Sequence, residues 1–142
     1  MKKVTSNSPE ETRSLGNDFA KELKPGDVIG LKGELGSGKT QFVKGICGYF
    51  GITDDVNSPT FIIVNEYEGN SPAGDIIKIY HLDLYRLNKP GDLNSLGMDN
   101  YLNSGIVLVE WSELMENYLG RDLRTVSFEH GSTENERVIT FE

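Results

Sequence analysis

The sequence holds one cysteine and one tryptophan among 142 residues and no long hydrophobic run. With Cys47 alone, an internal disulfide framework is excluded, and a reducing cytoplasm is the expected setting. No apolar stretch approaches the ~18 residues of a membrane span, so no membrane role is expected. The first residues, MKKVTSNSPEET, carry two lysines with no apolar segment behind them, unlike a secretory signal. Positive charge is also scarce: 14 Lys and Arg stand against 22 Asp and Glu, a formal net charge of −8 at pH 7. Such a chain repels phosphate backbones, so contact with nucleic acid is expected only through a more basic partner. Repeats of 20 to 50 residues and low-complexity tracts are absent too.

What is present reads as one soluble domain over residues 1–142, since 37% apolar residues with six Phe and six Tyr argue against disorder. Ser8, Pro9 and Glu11 form an S-x-x-E capping box, and Leu15, Phe19 and Leu23 follow at helical spacing. The spacing predicts a first helix ending before Lys24-Pro25-Gly26-Asp27. Val28 to Lys32 is a short apolar run suited to a buried strand. Gly33 to Thr40 is a glycine-rich turn, and Phe42, Val43, Ile46 and Phe50 predict a helix over 41–50. Phe61 to Tyr67 and Ile76 to Leu84 read as an antiparallel hairpin whose long connection contains 69–74. Pro90 to Leu102 reads as a broken helical stretch, Ile106 to Val109 as a second central strand, and Ser112 to Tyr118 as a short helix. Thr125 to Glu129 and Val138 to Phe141 read as a closing antiparallel pair. The expected class is α/β, a small P-loop NTPase fold. Its mixed sheet has parallel central strands and antiparallel additions, flanked by helices.

Gly33-Glu34-Leu35-Gly36-Ser37-Gly38-Lys39-Thr40 matches G-x-x-x-x-G-K-[ST] in full. Glycines let the backbone turn tightly and aim its N–H groups at phosphate oxygens. Lys39 reaches the β- and γ-phosphates in such a turn, and the Thr40 hydroxyl serves Mg²⁺. By composition alone, roughly one random chain in 200 of this length carries the match. Here the strand before it and the helix after it are present as well, which makes a nucleotide-phosphate site the expectation.

Hydrolysis needs a carboxylate at a strand end to hold the metal or orient water. Asp83 and Glu110 both qualify, although an acidic residue at a strand end is often only solvated. Glu110 is the stronger candidate, because open α/β sheets bind ligands at the carboxyl ends of central strands. Trp111 beside it lines the nucleotide or plugs the core, with the core favoured when it is taken alone. His81 reads as a hydrogen-bonded structural histidine ahead of a general base. Cys47 reads as a small packed residue. No His, Cys and Asp spacing suggests a metal cage. A guanine-reading N-K-x-D is missing, since Asn88-Lys89-Pro90-Gly91-Asp92 puts the aspartate one place late. A small-molecule kinase usually brings arginines to the transferred phosphate. Only Arg86 of the five arginines lies near a catalytic candidate in sequence.

Four further strings accompany the phosphate turn: S-P-T-F at 58–61, H-L-D-L-Y-R-L at 81–87, L-G-M-D-N-Y-L at 96–102 and V-E-W-S-E at 109–113. In this order and spacing the chain resembles the TsaE family, formerly YjeE, of small P-loop ATPases in bacterial tRNA threonylcarbamoyladenosine synthesis. The resemblance implies that Glu34, Leu35, Gly36, Ser37, Gly38, Lys39 and Thr40 wrap the ATP phosphates. It implies that Thr40 and Glu110 hold Mg²⁺, with Asp83 supporting the metal or the attacking water, so that Lys39, Asp83 and Glu110 form the catalytic set. Trp111 is then near the nucleotide, Thr12 and Arg137 near the adenine, and Thr60 in Ser58-Pro59-Thr60 a switch responding to the γ-phosphate. Ser37 stands where alanine is common and Ser112 where proline is common. The implied role is ATP binding and hydrolysis beside TsaB and TsaD, with weak activity alone and tRNA met only through the complex. Two other readings stay open: a nucleotide-gated assembly module with incidental hydrolysis, and a small-molecule P-loop kinase.

Overall fold

The computed structural model of the chain describes residues 2–33, 37–52, 64–83, 101, 104–110 and 124–142. Within these, β1 (Lys2–Ser6), α1 (Pro9–Ala20), β2 (Val28–Gly33), α2 (Lys39–Tyr49), β3 (Val64–Asn70), β4 (Ile76–Asp83), β5 (Ile106–Glu110), β6 (Arg124–His130) and β7 (Arg137–Phe141) follow in chain order. The strands form one seven-stranded sheet in the order β1-β7-β6-β2-β5-β4-β3. The central four, β6-β2-β5-β4, run parallel to one another. Antiparallel strands close both margins: β7 and β1 on one side, β3 on the other. The sheet is mixed, with a parallel centre, as expected.

The parallel strands are apolar because both of their faces are covered. Ile29, Leu31, Ile79, Ile106, Leu108, Val126 and Phe128 point to the face carrying the helices, where they join Phe19, Phe42, Val43, Ile46 and Cys47 in one core. Each such aliphatic side chain contributes about 1.5–3 kcal/mol by leaving water. Phe42 ties the layers together, with ring centroids 5.6 Å from Phe19 and 5.3 Å from Phe128. The opposite face is buried too: Leu82, Val107 and Val109 are inaccessible, and Tyr80 stacks on Tyr101 at 4.7 Å.

Several elements differ in detail from the expectations. The Ser8 hydroxyl accepts from Glu11 N as in a capping box, but the Glu11 carboxylate accepts from Asn7 N, one residue outside the box. The first helix ends at Ala20, and Leu23 reaches the core from beyond it. The second helix begins two residues early, at Lys39. The hairpin connection is short, because Gly69 and Asn70 pair with Ile77 and Ile76 and leave only 71–75 as loop. Strand β1 was not foreseen: its sequence is polar, and its ladder to β7 defines it. Nor was the second partnership of β6, which pairs parallel with β2 as well as antiparallel with β7. The helical readings over 90–102 and 112–118 lie outside the described residues, apart from Tyr101.

Candidate nucleotide site

The phosphate turn begins where β2 leaves the sheet. Gly33, its last residue, has φ +155°, and a β-carbon there would lie 2.6 Å from Ser37 Oγ and 2.7 Å from the Phe128 carbonyl oxygen. Gly38 caps α2 in the left-handed region at φ +106°, which favours glycine. Lys39, first residue of α2, lies over the end of β2. There its ammonium donates to the Gly33 carbonyl at 2.6 Å. Ser37 Oγ is buried in the turn with no hydrogen-bond partner among the described residues. Glu34, Leu35 and Gly36 lie outside those residues.

Three parallel strands end together at this point. Glu110 closes β5 beside Leu31 of β2, and Asp83 closes β4 directly across from Glu110. Glu110 is 4% exposed, with Oε1 3.7 Å from Lys39 Nζ and Oε2 2.8 Å from His81 Nε2. A buried carboxylate is stable only when paired and hydrogen-bonded, and these two neighbours meet that need. His81 is wholly buried, in keeping with the structural reading. Its second nitrogen, Nδ1, has no partner among the described residues. Lys39, Glu110 and His81 thus form one network.

Thr12 and Arg137, from opposite ends of the chain, converge on the other side of the turn. A β-carbon on Gly38 would lie 3.5 Å from Thr12 Cγ2 and 3.8 Å from Arg137 Cγ. Thr12 is held by Ser6, whose hydroxyl lies 2.7 Å from Thr12 Oγ1. Arg137 Nη1 donates to the carbonyls of Glu134 at 2.6 Å and Glu136 at 2.9 Å, so the β6–β7 turn fixes it. In the same turn, hydrogen bonds from the Ser132 backbone N–H and hydroxyl hold the Glu136 carboxyl below its ordinary pKa. Trp111, Ser58, Pro59 and Thr60 lie outside the described residues, as does the side chain of Asp83. Cys47 is packed in the core.

The residues present suit a magnesium nucleotide. Thr40 and Glu110 offer hard oxygen donors, and Mg²⁺ commonly takes one or two carboxylates with phosphate oxygens and water completing its shell. The buried, unpartnered Ser37 hydroxyl is the kind of polar atom a ligand satisfies. The sequence reading did not find Ser6, and it found His81 without its partner. Ser6 lies on the strand that was missed, and no local signal marks it. The bond from His81 to Glu110 crosses between strands, and only the period-two spacing of His81 and Asp83 hinted that His81 faces the strand-end carboxylates.

The family described as Threonylcarbamoyl adenosine biosynthesis protein TsaE matches residues 6–139. The tRNA threonylcarbamoyladenosine biosynthesis protein TsaE of Bacillus subtilis is 40% identical over 135 residues, 94% of this chain and 80% of that protein. Its namesake from Rickettsia conorii is 40% identical over 126 residues, 88% of this chain and 69% of that protein. The crystal structure of Bacillus subtilis YdiB superposes with a TM-score of 0.77 at 36% identity, covering 99% of this chain and 83% of that one.

Proposed function

The chain belongs to the TsaE family, and on that premise we propose that it is an Mg²⁺-dependent ATP-binding and ATP-hydrolysing component of bacterial tRNA N6-threonylcarbamoyladenosine synthesis. It acts in the cytoplasm beside TsaB and TsaD and supports turnover of the modification of ANN-decoding tRNAs. The observation that carries the reading is the position of Lys39, at the start of α2 between the Gly33 carbonyl and the buried Glu110 carboxylate.

The Lys39 ammonium exchanges its bond to Gly33 for β- and γ-phosphate oxygens and neutralises charge there. Backbone N–H groups from Glu34 to Thr40 cradle the phosphates, and the helix dipole of α2 favours the anion. The Ser37 hydroxyl, buried against Gly33, is at hand as a further donor. Thr40 and Glu110 would hold Mg²⁺, with Asp83 on the next strand as the second carboxylate. When bound, that ion supplies charge neutralisation between the phosphates. Trp111, Thr12 and Arg137 border the nucleoside, and Ser58, Pro59 and Thr60 relay the γ-phosphate state outward. A net charge of −8 suits docking on a basic protein assembly, so tRNA is met indirectly.

Lys39→Ala is expected to lower Mg²⁺-dependent ATP hydrolysis at least about 100-fold, with or without TsaB and TsaD. Unchanged turnover in that variant overturns the site. One observation keeps the gated-module reading in view: Lys39 already has partners within the protein, which suits slow turnover without a partner. Glu110→Gln separates the two readings. A variant that binds ATP, fails to hydrolyse it and still supports tRNA modification is a gate, and one that loses modification is a working ATPase.

A further inference from the structure

Among the described residues, His81 is the one wholly buried titratable side chain at the strand ends that the proposed chemistry does not use. Its Nε2 lies 2.8 Å from Glu110 Oε2. The pairing of β4 with β5 sets His81 opposite Leu108, one step before Glu110 on the same face of the sheet. We propose that His81 is a positioning residue for Glu110: its Nε2–H holds Oε2, which turns Oε1 toward Lys39 and the phosphate side of the site. The inference rests on the reading of Glu110 as the carboxylate that faces Mg²⁺ and the phosphates, and it adds how that carboxylate is aimed.

Two features of the geometry argue for it. The contact between Lys39 and Glu110, at 3.7 Å, is longer than a hydrogen bond and sets no direction, whereas the His81 contact is short and directional. A glutamate side chain has three torsions, so a fixed point on one oxygen decides where the other lies. The proton position follows from the partner. A carboxylate oxygen only accepts, so a contact as short as 2.8 Å needs the proton on Nε2, and the imidazole donates to the carboxylate. Partners of this kind orient ligating groups in many metal sites, and their loss weakens metal binding more than it disturbs the fold.

The test compares wild type, His81→Leu, His81→Gln and Glu110→Gln, each checked for folding by circular dichroism. In His81→Leu, which keeps the bulk and loses the donor, the Mg²⁺ concentration for half-maximal ATP turnover should rise about 10- to 100-fold, while binding of a fluorescent ATP analogue in EDTA shifts less than about threefold. His81→Gln, whose amide can donate in the same direction, should recover most of that loss. Wild-type Mg²⁺ dependence in a folded His81→Leu protein, or a folded His81→Gln protein as impaired as His81→Leu, overturns the proposal. Should His81→Leu not fold, the wild-type protein decides. Two-bond ¹H–¹⁵N spectra of ¹⁵N-histidine-labelled protein should show the proton of His81 on Nε2, and a proton on Nδ1 overturns the proposal. Failure of the underlying reading looks different, because Glu110→Gln would then hydrolyse ATP as wild type does.

Discussion

Strands β5 and β1 are both five residues long, and both end on a buried polar side chain near the phosphate turn. In β5, Ile106 to Glu110, every residue is buried. In β1, Lys2 to Ser6, only Ser6 is. Glu110 emerges from an apolar run with parallel neighbours on either side and faces Lys39. Ser6 emerges from a polar run with one antiparallel partner and holds Thr12, beside Gly38. The central strand is specified by its side chains and the marginal one by its backbone ladder. They reach the same turn from opposite sides.

Truncation should separate the two strands most sharply. Leu108→Ala removes a fully buried side chain between the helices and the sheet, and it should cost about 2–5 kcal/mol in urea denaturation. Val4→Ala on β1 should cost less, about 1 kcal/mol, because Val4 is only partly buried and lies at the margin of the sheet. If the two costs were equal, β1 would carry core packing, and the contrast would be lost.

Ser6→Ala sharpens the contrast at the site. The Ser6 hydroxyl bonds Thr12 and the Ser8 carbonyl, so its loss should cost about 0.5–1.5 kcal/mol of stability. Thr12 keeps a bond to the Ser8 carbonyl at 3.3 Å, which limits its movement. ATP affinity, measured by calorimetry, should therefore fall only slightly. A tenfold or greater loss of affinity would mean that the margin, too, holds the nucleotide directly.

The same contrast explains what could be read from sequence. Val28 to Lys32 and Ile106 to Val109 announce buried central strands because continuous apolar runs need cover on both faces. Ser8 and Glu11 announce α1, and the glycine-lysine string announces the start of α2. Strand β1 announces nothing: Lys2, Lys3, Thr5 and Ser6 leave Val4 as its one apolar residue, and its pairing with β7 spans nearly the whole chain. The pairing of β6 with β2 is non-local in the same way. Glu110 was legible as a strand-end carboxylate. Its contacts with Lys39, 71 residues earlier, and His81, 29 residues earlier, depend on which strands lie side by side.

The smallest effect concerns a second carboxylate, on the margin. Glu136 Oε1 accepts from the backbone N–H of Ser132 at 2.9 Å and from its hydroxyl at 3.0 Å. These bonds favour the charged form, so the folded pKa lies below the ordinary glutamate value. The sign follows: a carboxyl with a depressed folded pKa contributes its stability above the unfolded pKa and loses it as pH falls through the folded one. The Ser132 amide resonance should therefore titrate on the acid side of the usual glutamate range. Ser132→Ala should move the midpoint only part of the way back, because the backbone bond is the larger cause and survives the substitution. Glu136 meets solvent, which screens the interaction, so global stability should change little across the same pH window. A full return of the midpoint in Ser132→Ala would mean that the hydroxyl carries the shift and that the turn gripping Arg137 is looser than its backbone bonds indicate.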